Sequence, residues 1–141
     1  GERGIFNRQS AQKQAAKYDR RDPNIEYGTN PCSEIILRPK QFCNLSEVVV
    51  RAEDTVQTLT KKVELATILG TIQSCFTDLK GLGRQWKKNT EEERLLGVSL
   101  TGILDNAILA NQTNDDLEKI LSRLRHHAYN INKIWSNYLG I

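Results

Sequence analysis

Methionine is missing from this sequence altogether, and the chain opens Gly1-Glu2-Arg3-Gly4. Translation starts with methionine, so the expectation is a trimmed, processed or excised piece, or a segment of something longer. Cysteine is scarce, three residues in 141. An odd count without an export signal argues against a disulfide scaffold and for a reducing compartment, the cytoplasm. Nine glycines and three prolines are too few for a fibrous chain. No apolar run approaches the roughly 18 residues of a spanning helix, and no signal-peptide pattern opens the chain, which argues against a membrane partner. The net charge of only +3 does not call for nucleic acid or an anionic surface. What is present, 38% hydrophobic and 26% charged residues, is too apolar and too balanced for disorder. It suits one ordinary soluble domain or part of a larger one.

Hydropathy patterning predicts a mixed α/β chain, mostly helical with two short strands. A short surface helix is expected over 7–18, rich in Gln, Ala, Lys and Arg, and broken across 20–24 by Pro23. The stretches 34–37 and 45–50, rich in Ile, Leu and Val, read as strands with Pro39 between them. Asp54 is placed to cap a helix whose apolar positions run from Val56 to Phe76, spreading around most of the circumference after Val63. Such a helix calls for a core larger than this chain builds alone. Thr90-Glu91-Glu92-Glu93 has the form of a capping box and predicts a helix through Leu95 to Leu104. Thr113 to Asp116 open a last helix whose stripe reaches Tyr138. The organisation expected is an N-terminal helix and loop (1–28), a loop-and-strand segment (29–50) and a helical region (54–141). Two short strands without visible sheet partners suggest that neighbouring polypeptide is missing.

The chemistry concentrates in Thr29-Asn30-Pro31-Cys32-Ser33-Glu34-Ile35. In an extended backbone, alternate side chains share a face, so Asn30, Cys32 and Glu34 present an amide, a thiol and a carboxylate together. Pro31 stiffens the segment. Glu34 can accept a proton, Asn30 can orient a hydroxyl, and Cys32 can serve as nucleophile or radical carrier. Cys43 follows eleven positions later, across a strand-turn-strand return that can bring both sulfurs to one pocket. The competing reading is a turn with a small buried residue. Metal binding is not expected: the cysteine spacings match no zinc pattern, and His126 and His127 point about 100° apart on a helix surface. Cys75 reads as a small hydrophobe of a buried helix. Arg84, Lys87 and Lys88 around Trp86 read as a solvated loop. No glycine-rich phosphate loop or Ser/His/Asp arrangement is present.

Asn30-Pro31-Cys32-Ser33-Glu34-Ile35, followed by Phe42-Cys43-Asn44-Leu45, resembles the active-site finger loop of ribonucleotide reductases, most closely the class II, adenosylcobalamin-dependent enzymes. Gly4-Ile5-Phe6-Asn7-Arg8 and the segment from Glu93 to Gly102 are similar to the same family, so the resemblance spans most of the chain. It implies that Cys32 becomes the thiyl radical that takes the ribose 3′ hydrogen. It implies that Glu34 removes the 3′-hydroxyl proton, that Asn30 orients substrate hydroxyls, and that the substrate is bound by Asn30, Pro31, Cys32 and Glu34. Cys43 is implied to be one of two cysteines that supply electrons and end as a disulfide, with a thioredoxin-type reductant restoring them. The region from Gln85 to Gly97 is similar to monomeric class II members, which implies a ribonucleoside triphosphate as substrate.

The family builds a ten-stranded α/β barrel with this loop at its centre, several hundred residues in all, of which this chain holds a piece. The second reducing cysteine is expected upstream of Gly1, and most of the cobalamin surface elsewhere. The chain is therefore expected to be inactive alone and to act with flanking segments or companion chains of the same reductase. A class I reductase, with a partner radical-generating subunit in place of cobalamin, is the alternative enzyme. A helical interaction module whose Asn-Pro-Cys loop is structural, and a thiol redox protein, are the others.

Overall fold

A computed structural model describes residues 4–17, 19 and 21–141, without the side chain of Asn114. The chain is mixed α/β, about half helical, with two small two-stranded sheets. It divides into two compact units. One joins the residues up to Cys43 to Thr77–Leu95; the other joins Asn44–Phe76 to Leu96–Ile141. Among the described residues, no helix is long and apolar enough to cross a membrane.

In the first unit, helix α1 (Arg8–Ala16) starts where the Asn7 side chain accepts the Ser10 amide at 3.0 Å. Its small residues Ala11 and Ala15 are buried with Tyr27, against Ile25 and Ile36. The expected end of this helix at Tyr18, and Arg20 of the expected break, lie outside the described residues. Strands β1 (Gly28–Thr29) and β2 (Ile36–Leu37) pair antiparallel, Gly28 with Leu37 and Thr29 with Ile36. The expected return pairing 34–37 with 45–50 does not form. The chain has already reversed inside 30–35, so β2 takes β1 as its partner.

Helix α3 (Arg84–Glu93) follows Gly83, whose φ of 85° favours glycine, and ends at Arg94 in the left-handed region, φ 41°. The expected helix from Thr90 is a correction: Thr90 to Glu93 are the last turn of α3. Thr90 Oγ1 is buried and caps nothing among the described residues.

In the second unit the stretch after Arg94 is strand β4 (Leu96–Thr101) instead of a helix. It pairs in parallel with β3 (Asn44–Val49), Asn44 opposite Leu96 through Val49 opposite Thr101. Gly97, a poor helix residue, and the half-buried Val98 and Leu100, spaced two apart, suit the pleat once β3 lies alongside. Along β3, Asn44 and Val48 are buried and Leu45, Glu47 and Val49 exposed.

Helix α2 (Val56–Gln73) packs on this sheet. Its cap is Thr55, in a reciprocal box with Thr58, and not Asp54 as expected. Asp54 instead accepts the Arg51 amide, the Thr58 hydroxyl and the Lys62 ammonium. Leu59, Val63, Ala66, Thr67, Gly70 and Thr71 are the buried side of α2. A side chain at Gly70 would press on Leu96 at 3.4 Å, so glycine permits the close approach. Leu65, Leu69, Ile72 and Phe76 stay exposed, which limits the expected all-round burial to one face.

Residues Ile103–Asp105 form a single 3₁₀ turn and Ala107–Ala110 a short helix, α4. Helix α5 (Asn114–Leu139) begins at the expected Thr113 cap, packs on α2 through Leu117, Ile120, Leu124 and Ala128, and ends at Gly140.

Candidate active site

The segment singled out by sequence is a tight hairpin joining β1 to β2. The Asn30 amide donates to the Ile35 carbonyl at 3.3 Å, and the Ser33 amide donates to the Asn30 carbonyl at 3.0 Å. Ser33 makes the reversal with φ 66°, a left-handed conformation that costs a non-glycine residue energy. Asn30 and Glu34 therefore meet across a turn and not along an extended face, a correction to the alternation argument. The Asn30 Nδ2 donates to Glu34 Oε1 at 2.5 Å, while its Oδ1 accepts the Ile35 amide at 3.2 Å. Asn30 thus fixes both the backbone of the turn and the direction of the carboxylate. Pro31 and Cys32 occupy the exposed tip. An open cleft of about 570 Å³, lined by Asn7, Ser10, Thr29, Ser33 and Ile36 among others, lies beside the tip.

Cys43 is half-buried in the same unit. Burial pushes its thiol up to about 11, the Arg21 guanidinium opposes the shift, and the Glu34 carboxylate adds to it. The charge of Glu34 thus reaches both Asn30 and the second thiol. Phe42, beside it in sequence, stacks on Trp86 with ring centroids 6.5 Å apart.

Sequence reading missed the polar network behind the loop. Arg21, Arg38 and Gln41 converge on Asn89, Glu92 and Glu93 of α3, at separations of roughly fifty to seventy residues for which no short motif exists. The only local signal was an arginine at the edge of a turn. The basic residues beside Trp86 belong to α3 and not to a loop, with Lys87 and Lys88 near Glu91 and Glu92 one turn on. Cys75 lies just beyond α2 instead of within it, half-buried, its Sγ 3.6 Å from the Thr71 carbonyl. His126 is on the surface of α5 as expected. His127 instead turns toward α2, its Nε2 3.4 Å from Glu64 Oε2. Among the described residues, no group of three or more His, Cys, Asp or Glu is arranged to hold a metal.

Comparison with known protein families, with curated proteins and with solved structures gives no match. The hairpin itself can hold a carboxylate next to a hydrogen-bonding amide, at the base of an exposed thiol, with a second, protonated thiol within reach of the same charge.

Proposed function

We propose that this chain is the finger-loop segment of a class II ribonucleotide reductase, reducing ribonucleotides, with a preference for triphosphates, to 2′-deoxyribonucleotides. In this reading it is part of a ten-stranded α/β barrel completed by flanking segments or companion chains and working in the cytoplasm. The observation that carries it is the 2.5 Å Asn30–Glu34 hydrogen bond at the base of a hairpin tipped by Cys32.

The roles are those the resemblance implies. As a thiyl radical, Cys32 takes the hydrogen atom from C3′, and Glu34 takes the 3′-hydroxyl proton while Asn30 holds the hydroxyls. The 2′-hydroxyl takes a proton from the reducing cysteine pair and leaves as water. Two electrons come from Cys43 and a second cysteine outside this chain, which end as a disulfide, and Cys32 returns its hydrogen atom to C3′. A thioredoxin-type reductant then reopens the disulfide.

Adenosylcobalamin, when bound, supplies the radical that oxidises Cys32. The exposed tip suits such an exchange, and none of the site residues is assigned to its cobalt or corrin. A class I enzyme would draw the same radical from a partner subunit. The exposed Leu65, Leu69, Ile72 and Phe76 favour the second reading, a helical interaction module.

The test is reduction of a ribonucleoside triphosphate by this chain combined with its flanking segments, adenosylcobalamin and a dithiol. Turnover is expected from the assembly, none from the chain alone and none with Cys32→Ser. Turnover that survives Cys32→Ser refutes the reading, and turnover that does not need cobalamin moves it to class I.

A further inference from the structure

Arg21 is the polar centre of the unit that carries both thiols. Its side chain is 13% exposed and that of its partner Glu93 9%. The guanidinium forks onto both carboxylate oxygens, Nη2 at 2.8 Å and Nε at 3.2 Å. Its Nη1 donates to the Ile36 carbonyl of β2 at 2.9 Å, Nη2 also reaches Gln41 Oε1 at 3.4 Å, and Cζ lies 4.6 Å over the Tyr27 ring centre. Gln41 closes the figure, donating to Glu93 at 2.6 Å and accepting the Arg38 amide at 2.9 Å. A buried bidentate Arg–carboxylate pair of this kind is a rigid fork that lysine cannot reproduce.

The two outward arms of the fork end on the two segments that matter. Ile36 pairs with Thr29 at the base of the hairpin, one residue beyond the Asn30–Ile35 closure. Gln41 stands two residues before Cys43. We infer that Arg21 is the positioning residue of the site: through Ile36 and Gln41 it ties the Cys32 hairpin and the Cys43 segment to α3, and so keeps Cys43 sheltered. The charged groups that act on that thiol include Arg21 and Glu34, with Arg38, Glu92 and Glu93 around Arg21. The inference takes from the reductase reading only the use of the two thiols.

The experiment alkylates the full 141-residue chain with iodoacetamide, resolved by cysteine and followed from about pH 7 to about pH 11. Cys75, in the other unit, is the reference. Arg21→Gln is expected to speed Cys43 at neutral pH about tenfold relative to Cys75 and to bring its midpoint down, because the released segment hydrates. Arg21→Lys keeps the charge without the fork and is expected to give a smaller rise, about threefold. An unmoved Cys43 in both variants overturns the inference. So does a slower Cys43 with a raised midpoint, since Arg21 would then act by charge alone. If Arg21→Gln unfolds the chain, Cys75 accelerates with Cys43, and Arg21→Lys decides: Cys43 moving alone supports the inference, while both moving equally or neither moving overturns it. No turnover is measured, so a failed reductase assay and a failed alkylation assay are separate results.

Discussion

Asn106 is the most heavily used side chain of the second unit, and Asn106→Ala tests how that unit is held. The residue is completely buried, 0% exposed. Its Nδ2 donates to the carbonyls of Arg51 and Asp54, each at 2.8 Å, and its Oδ1 accepts the amides of Ile108 at 3.0 Å and Leu109 at 3.3 Å. Alanine deletes these four bonds, together with a longer one from Nδ2 to the Ala52 carbonyl at 3.4 Å, and leaves buried backbone groups without partners. At about 1 kcal/mol for each of the four, the loss is about 4 kcal/mol. Water entering the vacated space recovers part of that, so about 3 kcal/mol is expected. Asn106→Asp separates the two halves, keeping the acceptor that caps α4 while losing the Nδ2 donations and setting a carboxylate against those carbonyls. It is expected to cost about as much as alanine. The assay is urea unfolding in a Trp86→Phe background, where fluorescence comes from Trp135 of α5 and reports this unit. The midpoint should fall at constant slope. A loss below about 1 kcal/mol for Asn106→Ala would mean that solvent replaces these bonds freely, and the reasoning fails.

Two further predictions use the same chain. Asp54 is held down to about 2, first by the Lys62 ammonium and then by the Arg51 amide, against an ordinary 3.8. A carboxyl depressed on folding adds stability that is complete above its unfolded value and is lost as pH falls through the folded one, here from about 4 toward about 2. The stability advantage of the wild type over Asp54→Asn should therefore shrink across that window, and parallel urea midpoints would exclude the effect. At the hairpin, Ser33→Gly relieves a φ of 66° and Ser33→Val aggravates it. The Ile35 amide, bonded to Asn30, should exchange about tenfold faster in the valine variant, a cost of about 1.4 kcal/mol, and no faster in the glycine variant. Equal exchange in both contradicts the strain argument.

Local signals identified what local contacts build. The 3–4 spacing that runs from Val56 and the Thr113 cap located α2 and α5, and the run Val48-Val49-Val50 located β3 to within a residue. The largest failure comes from long-range pairing. Thr90 to Glu93 spell a helix start, yet β4 exists because a parallel partner some fifty residues earlier in the chain offers its edge, and a capping box carries no information about that. Gly97 was the residue that spoke against a helix. At the site, the residue types Asn30 and Glu34 were legible and their geometry was not. Serine gives no warning of a left-handed φ, so an extended segment was expected where the chain reverses. Arg21 and Glu93, 72 positions apart, are joined only by folding.

The protonation of Cys43 weighs between the chemical readings of this loop. With its thiol pushed up to about 11, roughly one molecule in ten thousand carries the thiolate at pH 7. A thiol redox protein attacks disulfides through a thiolate, so Cys43 is a poor attacking group for that trade. A reductase asks for something else as the 2′-hydroxyl departs, a donor that still holds its proton and can give up electrons once the proton has gone. Burial and the Glu34 charge push Cys43 in that direction, and Arg21 keeps the shift from going further. In the proposed reductase reading the same bias extends to reopening of the disulfide. A thiolate that attacks Cys43 Sγ expels the other cysteine, whereas attack on the other cysteine must expel Cys43, a poorer leaving group than a cysteine of ordinary acidity. If the proposed reductase reading holds, the features that keep Cys43 protonated also make its own sulfur the favoured point of entry for a reductant.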